Sequence, residues 1–368
     1  MGMGRALPLS CMETTDTIIV GAGPIGIELA VALRRAGVDY LHVDAAQIGH
    51  TISWYAPGTH FFSSPERIAI AGVPLVTANQ DKATREEYLA YLRMVVAQFD
   101  LPIRTYEAVV GIERIGEGRE EGAEGARFIV TTRRAAGGRE RRYRARNVVL
   151  AIGDMHRPRR LGIPGEDLPH VSHYFGDPHE YFRRRVLIVG GKNSAVEAAI
   201  RLFRLGADVA ISYRGERFDP ERIKYWLLPE INWLIEKKRI GFYPRTAPTA
   251  ITPESAMLRH LDREGEPALE VGADAVLLLT GYEQDPTLFE SVGIELVGPE
   301  RAPKHDHVTM ETNVPGIYVA GTATAGTQTR FKVFIETSHV HVARIVRAIT
   351  GKEMGEGLET PRYAEPES

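Results

Sequence analysis

Two segments of the chain share one pattern of apolar and polar positions: an apolar run, a glycine-rich turn and an amphipathic stretch. The first covers Asp16–Ala36 and the second Val186–Leu205. A further apolar run follows each, at Tyr40–Ala45 and at Asp208–Arg214. The pattern predicts strand, turn, helix and strand twice, with parallel, right-handed crossovers. The two copies begin too far apart for a short repeat, and their separation suits two nucleotide-binding domains.

The chain between and after these segments predicts further strands. Alternating apolar residues indicate strands in Val109–Ile115, Ala126–Arg134 and Arg142–Gly153, joined by glycine-rich polar links. Ala273–Tyr282 and Pro315–Gly326 are two more apolar runs that end in glycine.

Two helices are expected as well. A long amphipathic helix is predicted over Phe331–Ile349, and another over Glu221–Lys237, where Trp226 and Trp233 have the spacing of a packed face.

These elements define an α/β fold with two Rossmann-like dinucleotide-binding domains, the second inserted into the first. The predicted boundaries are residues 14–158 and 275–352 for the first domain, 159–274 for the second, and disordered termini at 1–13 and 353–368.

Composition narrows the class of protein. The net charge is −3, from 45 Lys and Arg against 48 Asp and Glu, which argues against a dedicated nucleic-acid binder. The arginine-rich strip Arg133–Arg146 is therefore interpreted as a solvated hairpin face. No apolar run reaches the 18 residues of a spanning helix, and neither a membrane partner nor export is expected, so we predict a cytoplasmic protein.

The chain has one cysteine, Cys11, in the expected disordered leader. One cysteine forms neither an internal disulfide, nor a CxxC redox pair, nor a thiolate zinc site, and no metal site is predicted. Redox chemistry in this protein must therefore use a cofactor.

The first glycine turn carries the pattern G-x-G-x-x-G at Gly21, Gly23 and Gly26, between a strand and a helix. The glycines allow a tight turn, a close approach of the backbone to a pyrophosphate, and helix–strand packing. Asp44 ends the next strand, where a carboxylate accepts hydrogen bonds from a ribose diol. This arrangement predicts a dinucleotide site.

The second turn departs from that pattern. Lys192 occupies the place of the second glycine and Ala195 that of the third. The strand after this helix ends in Arg214 and Arg217 rather than in an acid, and arginines hold a 2′-phosphate. The pattern favours NADP(H) over NAD(H); the alternative is that both arginines are ordinary surface charges.

The whole arrangement resembles the two-domain pyridine-nucleotide flavoproteins of the thioredoxin reductase group. The resemblance rests on Val148–Pro158, Leu279–Pro286 and Thr312–Gly321. Within that group the sequence is most similar to the bacillithiol disulfide reductase family. The segments that carry this similarity are Phe61–Pro74, Ile163–Phe175, Val189–Ala199 with its GGKNSA, and Thr309–Gly321.

The resemblance implies that the first domain binds FAD and the second binds NADPH, which reduces the flavin. It also implies a homo-oligomer.

Two departures from the family bear on chemistry. The family carries a cysteine in the first glycine turn, where this chain has Ile25, so a mixed-disulfide route at that position is excluded. Thioredoxin-reductase-like proteins carry an Asp after the second FAD strand, where it binds the ribityl chain. This chain has Thr322, whose hydroxyl is a weaker partner.

We therefore predict an NADPH-dependent FAD oxidoreductase, whose acceptor is a small disulfide, a quinone, or a ferredoxin-like or thioredoxin-like carrier. A flavin monooxygenase and a catalytically silent nucleotide-binding redox sensor are the alternatives. No catalytic side chain is assigned. The residues predicted to bind the cofactors are Gly21, Gly23, Pro24, Ile25, Gly26, Asp44, His60, Ala151, Gly153, Gly321 and Thr322 for FAD, and Gly190, Gly191, Lys192, Asn193, Ser194, Arg214 and Arg217 for NADPH.

Overall fold

The computed structural model describes residues 12–115, 125–263, 265–329 and 333–352. The chain forms two compact units. The first contains the described residues up to Ser53, those of Ser63–Arg157, and those from Glu283 onward. The second contains Trp54–Phe62 and Pro158–Tyr282. Cys11 and both predicted disordered tails beyond residues 12 and 352 lie outside the described residues.

The described chain contains strands, α-helices and short 3-10 helices. The strands are β1 Glu13–Val20, β2 Tyr40–Val43, β3 Ile103–Arg104, β4 Glu107–Arg114, β5 Phe128–Arg134, β6 Glu140–Leu150, β7 Arg157–Pro158, β8 Val171–Ser172, β9 Arg185–Val189, β10 Asp208–Tyr213, β11 Gly241–Pro244, β12 Thr246–Ile251, β13 Ser255–His260, β14 Leu269–Gly272, β15 Ala275–Leu278, β16 Tyr282–Glu283, β17 Leu296–Val297, β18 Ala302–Pro303 and β19 Ile317–Val319.

The α-helices are α1 Pro24–Arg35, α2 His50–Ser53, α3 Pro65–Ile68, α4 Arg85–Gln98, α5 Asn193–Leu205, α6 Leu228–Glu236, α7 Thr287–Ser291 and α8 Ile335–Thr350. Short 3-10 helices cover Pro178–Tyr181, Pro220–Arg222 and Gly321–Ala325.

The sheet of the first unit has the order β3-β2-β1-β6-β5-β4, and β19 also pairs with β6. Strands β3, β2, β1, β6 and β19 are parallel, whereas β4 and β5 add an antiparallel hairpin. The register aligns the last residues of four parallel strands, which are Val43, Val20, Leu150 and Val319. The segments that follow these strands therefore emerge at one edge of the sheet, where ligands bind in such folds.

Helix α1 forms the crossover from β1 to β2. It begins with Pro24 at its first position. An N–H at that position would have no partner within the helix, so the missing N–H of proline removes no hydrogen bond. Residues 25–33 are buried. Helix α8 is amphipathic and packs against α1. It begins at Ile335, four residues later than predicted; residues 330–332 lie outside the described chain. It ends at Thr350, and the next residue, Gly351, has a φ of +70°, which suits a helix cap.

The sheet of the second unit is parallel, with the order β11-β10-β9-β15-β8. Helix α5 joins β9 to β10 and buries its alanine-rich face, and a three-stranded antiparallel sheet, β12-β13-β14, covers part of the same unit. The predicted architecture, two Rossmann-like folds with one inserted into the other, is confirmed by this topology.

The structure divides the chain differently from the predicted boundaries at three places. Strand β1 begins at Glu13, inside the predicted disordered leader, because its first residues pair with β6. The return to the first unit falls at Glu283 rather than 275, because β15 pairs with β9 in the second sheet. Trp54–Phe62 also groups with the second unit, which the sequence did not indicate.

The helix predicted over Glu221–Lys237 is shorter. Only Leu228–Glu236 is α-helical, and Trp226 precedes it and stacks on Phe62 with ring centroids 5.5 Å apart. Trp233 lies on the helix but is 54% exposed, so its spacing does not reflect packing within the described residues.

Candidate functional site

Packing explains two of the three glycines of the first turn. Gly21 has a φ of +105°, and a Cβ there would lie 2.4 Å from the carbonyl oxygen of Ala151. A Cβ on Gly26 would lie 2.0 Å from the carbonyl oxygen of Gly21. Gly23 differs, because a Cβ there would meet no atom within 4 Å. The space over Gly23 is therefore open to a ligand, at the start of α1, where no side chain caps the helix.

Two side chains hold this turn. The ring of His42 is buried and its Nε2 donates to the carbonyl oxygen of Gly21 at 2.9 Å. Burial lowers the pKa of His42 to about 4, so the ring is neutral at pH 7. The carboxylate of Asp44 accepts from the backbone N–H of Ala22 at 2.6 Å and of Ala46 at 2.7 Å. Each of its oxygens keeps a further lone pair for a ribose hydroxyl.

The segments after β6 and β19 complete the same edge. Ala151 continues β6 by donating to the carbonyl oxygen of Val20 at 2.9 Å. Gly153 has a φ of +76°, and its carbonyl oxygen accepts from Nε2 of Gln284 at 2.9 Å. Gly321 lies beside Ile25, since a Cβ on Gly321 would come within 3.4 Å of the Cβ of Ile25.

His341 also supports Gly321. Its Nδ1 accepts from the N–H of Gly321 at 3.2 Å, and burial lowers the pKa of this histidine to about 4. The structure thus brings together the predicted FAD residues of the first glycine turn and of the segments that follow β2, β6 and β19.

The ribityl contact predicted for Thr322 stays a prediction. Its side chain hydrogen-bonds the carboxyl group of Asp154, which follows Gly153 and is 7% exposed. Sequence alone did not indicate a role for Asp154 or Gln284. Their signal was a polar residue directly beside a predicted strand end, which sequence alone does not distinguish from an exposed loop residue.

His60 belongs to the segment that groups with the second unit. Its side chain is exposed, and its carbonyl oxygen accepts from Nζ of Lys224 at 3.2 Å. Arg201 donates to the hydroxyl of Thr59 at 3.1 Å and to the carbonyl oxygen of Pro57. These contacts fix the segment to the second unit, and the flavin contact predicted for His60 stays a prediction.

The second turn is shaped by packing at both of its glycines. Gly190 has a φ of +152°, and a Cβ there would lie 2.5 Å from the carbonyl oxygen of Leu279. A Cβ on Gly191 would lie 2.1 Å from the ring of Tyr213, so Gly191 leaves room for that ring. Asn193 accepts from the N–H of Lys224 through Oδ1 at 2.6 Å and anchors the neighbouring loop, whereas Ser194 is exposed.

Positively charged side chains lie close together at this turn. Lys192 immediately precedes α5. Burial lowers the pKa of its ammonium group, and so do the positive charges of Arg222, Arg159 and Arg214. Within the described residues, Arg214 forms no ion pair, while Arg222 also pairs with Asp219 at 3.0 Å. Four positive charges close together suit an anionic ligand.

Arg159 and Arg222 were not predicted as part of this group. They come from the linker before β8 and from a 3-10 helix, far apart in sequence, so only the tertiary structure relates them to Lys192. Arg217, which was predicted to bind NADPH, is exposed. After Arg245, it helps to lower the pKa of Glu216, whereas it is not among the charges that lower the pKa of Lys192.

Two parallel dinucleotide folds, each with a glycine turn at the carboxyl edge of its sheet, define a two-domain nucleotide-dependent oxidoreductase. The family model described as pyridine nucleotide-disulphide oxidoreductase matches residues 18–321. The chain belongs to that family.

Individual proteins are similar to this chain over most of its length. Bacilliredoxin reductase of Bacillus subtilis (strain 168) is 32% identical over 342 residues, which cover 93% of this chain and 99% of the relative. The solved bacillithiol disulfide reductase of Bacillus cereus is 32% identical, with a TM-score of 0.83, over 93% of this chain and 100% of that one. A ferredoxin–NADP reductase of Ignicoccus hospitalis is 26% identical over 84% of this chain and 90% of the relative.

These findings confirm the predicted family resemblance, the fold class and the class of enzyme, an FAD- and NADPH-dependent oxidoreductase. Within the described residues, no helix is both long and apolar enough to cross a membrane.

Proposed function

We propose that FAD binds at the first glycine turn. The open space over Gly23 and the uncapped start of α1 suit a pyrophosphate, and the remaining lone pairs of Asp44 suit a ribose diol. His42 contributes indirectly, because its hydrogen bond to the carbonyl oxygen of Gly21 holds the turn in shape.

NADPH is proposed to bind at the second turn. Lys192, Arg159, Arg214 and Arg222 supply positive charge for its phosphates, and Arg214 follows β10 directly, where a 2′-phosphate is recognised in this type of fold. Gly191 and Tyr213 shape the turn, since the glycine leaves room for the aromatic ring.

When bound, the two cofactors supply hydride transfer from the nicotinamide to the flavin and onward delivery of electrons. We propose that the acceptor is a disulfide, either in a small thiol compound or on a redox carrier protein, and that no thiol of this protein takes part. The observation that carries this proposal is Ile25, which is 6% exposed and packs beside Gly321 within the first turn. An isoleucine offers neither a nucleophile nor a leaving group for thiol–disulfide exchange.

The test uses the chain's single cysteine. Cys11→Ser removes every thiol from the protein. Anaerobic NADPH oxidation is then measured with bacillithiol disulfide and with an oxidised bacilliredoxin. We expect wild-type rates in Cys11→Ser and no inhibition of the wild type by iodoacetamide. Loss of activity in Cys11→Ser, with flavin content unchanged, would assign the chemistry to Cys11 instead.

A ferredoxin-type carrier is the second candidate acceptor, and the same observation favours it, because one-electron transfer needs no protein thiol. Adding ferredoxin and a quinone to the panel separates the two candidates by relative rate. Two rival functions are tested in the same assay. Rapid reduction of the flavin by NADPH under anaerobic conditions contradicts a silent sensor, and slow peroxide release in air would support a monooxygenase.

For the assembly, we propose a homo-oligomer, and for the location, the cytoplasm. The resemblance to the bacillithiol disulfide reductase family supports the former. Light scattering of the purified holoenzyme tests it, because a mass near that of one 40.8 kDa chain would contradict it.

A further inference from the structure

The loop that follows β10 carries a carboxylate between its two arginines. Arg214, Glu216 and Arg217 all lie within four residues of the end of that strand. In dinucleotide folds, an acid that follows this strand accepts a hydrogen bond from the ribose of NAD(H), whereas its charge repels the 2′-phosphate of NADP(H). Glu216 therefore opposes the selectivity that the arginines favour, unless another group binds its carboxylate.

Arg245 binds that carboxylate. Its Nη2 lies 2.8 Å from Oε2 of Glu216, and its Nη1 donates to Oδ2 of Asp262 at 2.9 Å. The hydrogen bond and the charge of Arg245 lower the pKa of the Glu216 carboxyl, and the charge of Arg217 adds to this effect. Glu216 is thus ionised at pH 7, and Arg245 is the main group that balances its charge.

The backbone holds Arg245 at the ligand-binding edge of the second sheet. Strand β11 pairs with β10 so that Pro244 lies opposite Tyr213, and Arg245 is the next residue. Its N–H donates to the carbonyl oxygen of Gly215 at 3.0 Å, and its carbonyl oxygen accepts from the N–H of Leu261 at 2.7 Å. Its φ of +52° is a strained conformation for a residue with a side chain, which such contacts maintain.

The loop after β10 is itself fixed to the second glycine turn. The ring of Tyr213 lies between two glycines, because a Cβ on Gly191 would lie 2.1 Å from the ring and a Cβ on Gly215 would lie 2.6 Å from it. Gly191 belongs to the turn, and Gly215 joins Arg214 to Glu216. The carboxylate of Glu216 is therefore carried by a loop that packs against the proposed phosphate site.

We propose that Arg245 is a positioning residue for coenzyme selectivity, which holds and neutralises the carboxylate of Glu216 so that the loop after β10 accepts the 2′-phosphate of NADPH. This inference rests on the proposed binding of NADPH at the second turn. Arg245 acts through Glu216 and is assigned no contact with the phosphate. Without Arg245, the carboxylate would repel the 2′-phosphate and would be free to accept a hydrogen bond from the ribose 2′-hydroxyl of NADH.

The exposure of this ion pair separates selectivity from folding. The side chain of Arg245 is 44% exposed and that of Glu216 is 58% exposed. Ion pairs this exposed contribute little to stability, because water and salt screen them. A bound coenzyme displaces part of that water, so an unpaired carboxylate in the loop should weaken NADPH binding more than it weakens the fold.

The experiment is a double-mutant cycle on coenzyme binding. Arg245→Met keeps the length of the side chain and removes its charge, and Glu216→Gln removes the charge of the acid. Flavin-loaded wild type, both single variants and the double variant are mixed anaerobically with NADPH or NADH. The dependence of the rate of flavin reduction on coenzyme concentration gives each dissociation constant and each limiting rate, with no electron acceptor present.

We expect Arg245→Met to raise the dissociation constant of NADPH about tenfold and to leave that of NADH within about twofold of the wild type. The limiting rate of flavin reduction should not change, because Arg245 touches neither reacting ring. Glu216→Gln alone should alter the dissociation constant of NADPH by less than about twofold, because Arg245 already balances the acid.

The double variant distinguishes positioning from direct contact. Once Glu216→Gln has removed the carboxylate, Arg245→Met leaves no unpaired negative charge in the loop. The dissociation constant of NADPH in the double variant should therefore return to within about threefold of the wild type. A direct contact between Arg245 and the phosphate would be lost in both backgrounds, and Glu216→Gln would then restore nothing.

Arg185→Met is the matched control. Arg185 is an arginine of the same unit, 49% exposed, and its Nη2 lies 2.6 Å from Oδ1 of Asp274 in a comparable ion pair. It begins β9, at the end of the strand opposite to the second glycine turn. This variant should leave both dissociation constants unchanged. Thermal unfolding of every variant shows whether a change in binding follows from a loss of stability.

The outcomes separate this inference from the proposed function. If the wild type binds NADPH no more tightly than NADH, the proposed 2′-phosphate site fails. If the wild type prefers NADPH and Arg245→Met keeps the full preference, the inference alone is overturned. A lost preference that Glu216→Gln does not restore would also overturn it, because Arg245 would then act on the coenzyme directly.

Discussion

Glu28 and His339 form a buried hydrogen-bonded pair, with Oε2 of Glu28 2.7 Å from Nδ1 of His339. The other ring nitrogen, Nε2, lies 2.9 Å from the carbonyl oxygen of Arg67. Two acceptors around one ring require two N–H donors, so the ring is protonated. The pair joins α1, which begins at the first glycine turn, to α8.

This pair predicts a pH-dependent contribution to stability. Burial alone would lower the pKa of His339, but the hydrogen bond and charge of Glu28 outweigh it, and the pKa is raised above 6.5. The contribution is therefore complete below about pH 6.5 and is lost as the pH rises through the raised pKa. We expect Glu28→Gln to lower the free energy of unfolding by about 3 kcal/mol at pH 6 and by less at pH 9.

Urea unfolding at both pH values measures this difference. Glu266→Gln is the control, because Glu266 is exposed and faces His260 at the longer distance of 4.0 Å, so this change should have little effect. An equal loss from Glu28→Gln at pH 6 and pH 9 would mean that His339 is not protonated in the folded protein.

Two other histidines predict the opposite response to acid. The pKa values of His42 and His341 are lowered by burial to about 4 from 6.5, so their contribution is complete above about pH 6.5 and is lost as the pH falls toward 4. For each histidine, this effect should lower the free energy of unfolding by about 2 kcal/mol between pH 7 and pH 5. His341→Asn should flatten this slope, while the control His50→Asn, at an exposed position, should leave it unchanged.

Alanine substitutions at two glycines of the first turn should separate an effect on FAD affinity from an effect on stability. Gly23→Ala places its methyl group in open space at an ordinary φ of −76°, so thermal stability without flavin should change by no more than about 2 °C. FAD affinity should fall at least about tenfold, because the methyl group occupies the proposed pyrophosphate space.

Gly26→Ala is the matched comparison. Its methyl group would lie 2.0 Å from the carbonyl oxygen of Gly21, so it should destabilise the flavin-free protein by more than about 2 kcal/mol. Unfolding curves and flavin titrations give both quantities. Wild-type FAD affinity in Gly23→Ala would exclude the pyrophosphate from that space.

The cations at the second turn predict coenzyme selectivity. Arg214→Ala should raise the KM for NADPH about tenfold or more and that for NADH less than about threefold, because only NADPH carries the 2′-phosphate. The control is Arg239→Ala, an exposed arginine of the same unit whose charge does not act on Lys192. Steady-state kinetics with both coenzymes measure the ratio. Equal losses for NADPH and NADH would disprove the assignment of Arg214 to the 2′-phosphate.

A cysteine in place of Ile25, which lies beside Gly321, should increase disulfide reductase activity. Ile25→Cys introduces a thiol where the bacillithiol disulfide reductase family carries one. It should raise the rate of disulfide reduction above that of Ile25→Ala, which controls for the lost volume at this buried position. NADPH oxidation with bacillithiol disulfide measures both rates. If the two variants are equally fast, the remainder of the disulfide site has diverged as well.

The sequence by itself determined the two dinucleotide folds and their order. Apolar runs, glycine turns and amphipathic helices are local patterns, and the positive φ angles of Gly21 and Gly190 are backbone conformations that glycine adopts readily. The same patterns located Asp44 and Arg214, because each follows a strand whose end is readable from its apolar run. The absence of a thiol at Ile25 also needed no structure.

The tertiary structure decided which residues meet. Asp154 and Thr322 lie 168 residues apart in the chain, and they come together because β6 and β19 pair in register so that their ends coincide. Arg159 and Arg222 approach Lys192 only through the folding of the second unit. The purpose of Gly191, room for Tyr213, likewise depends on strand β10 lying beside β9. Local sequence patterns specify elements, whereas contacts between distant elements depend on sheet register and packing.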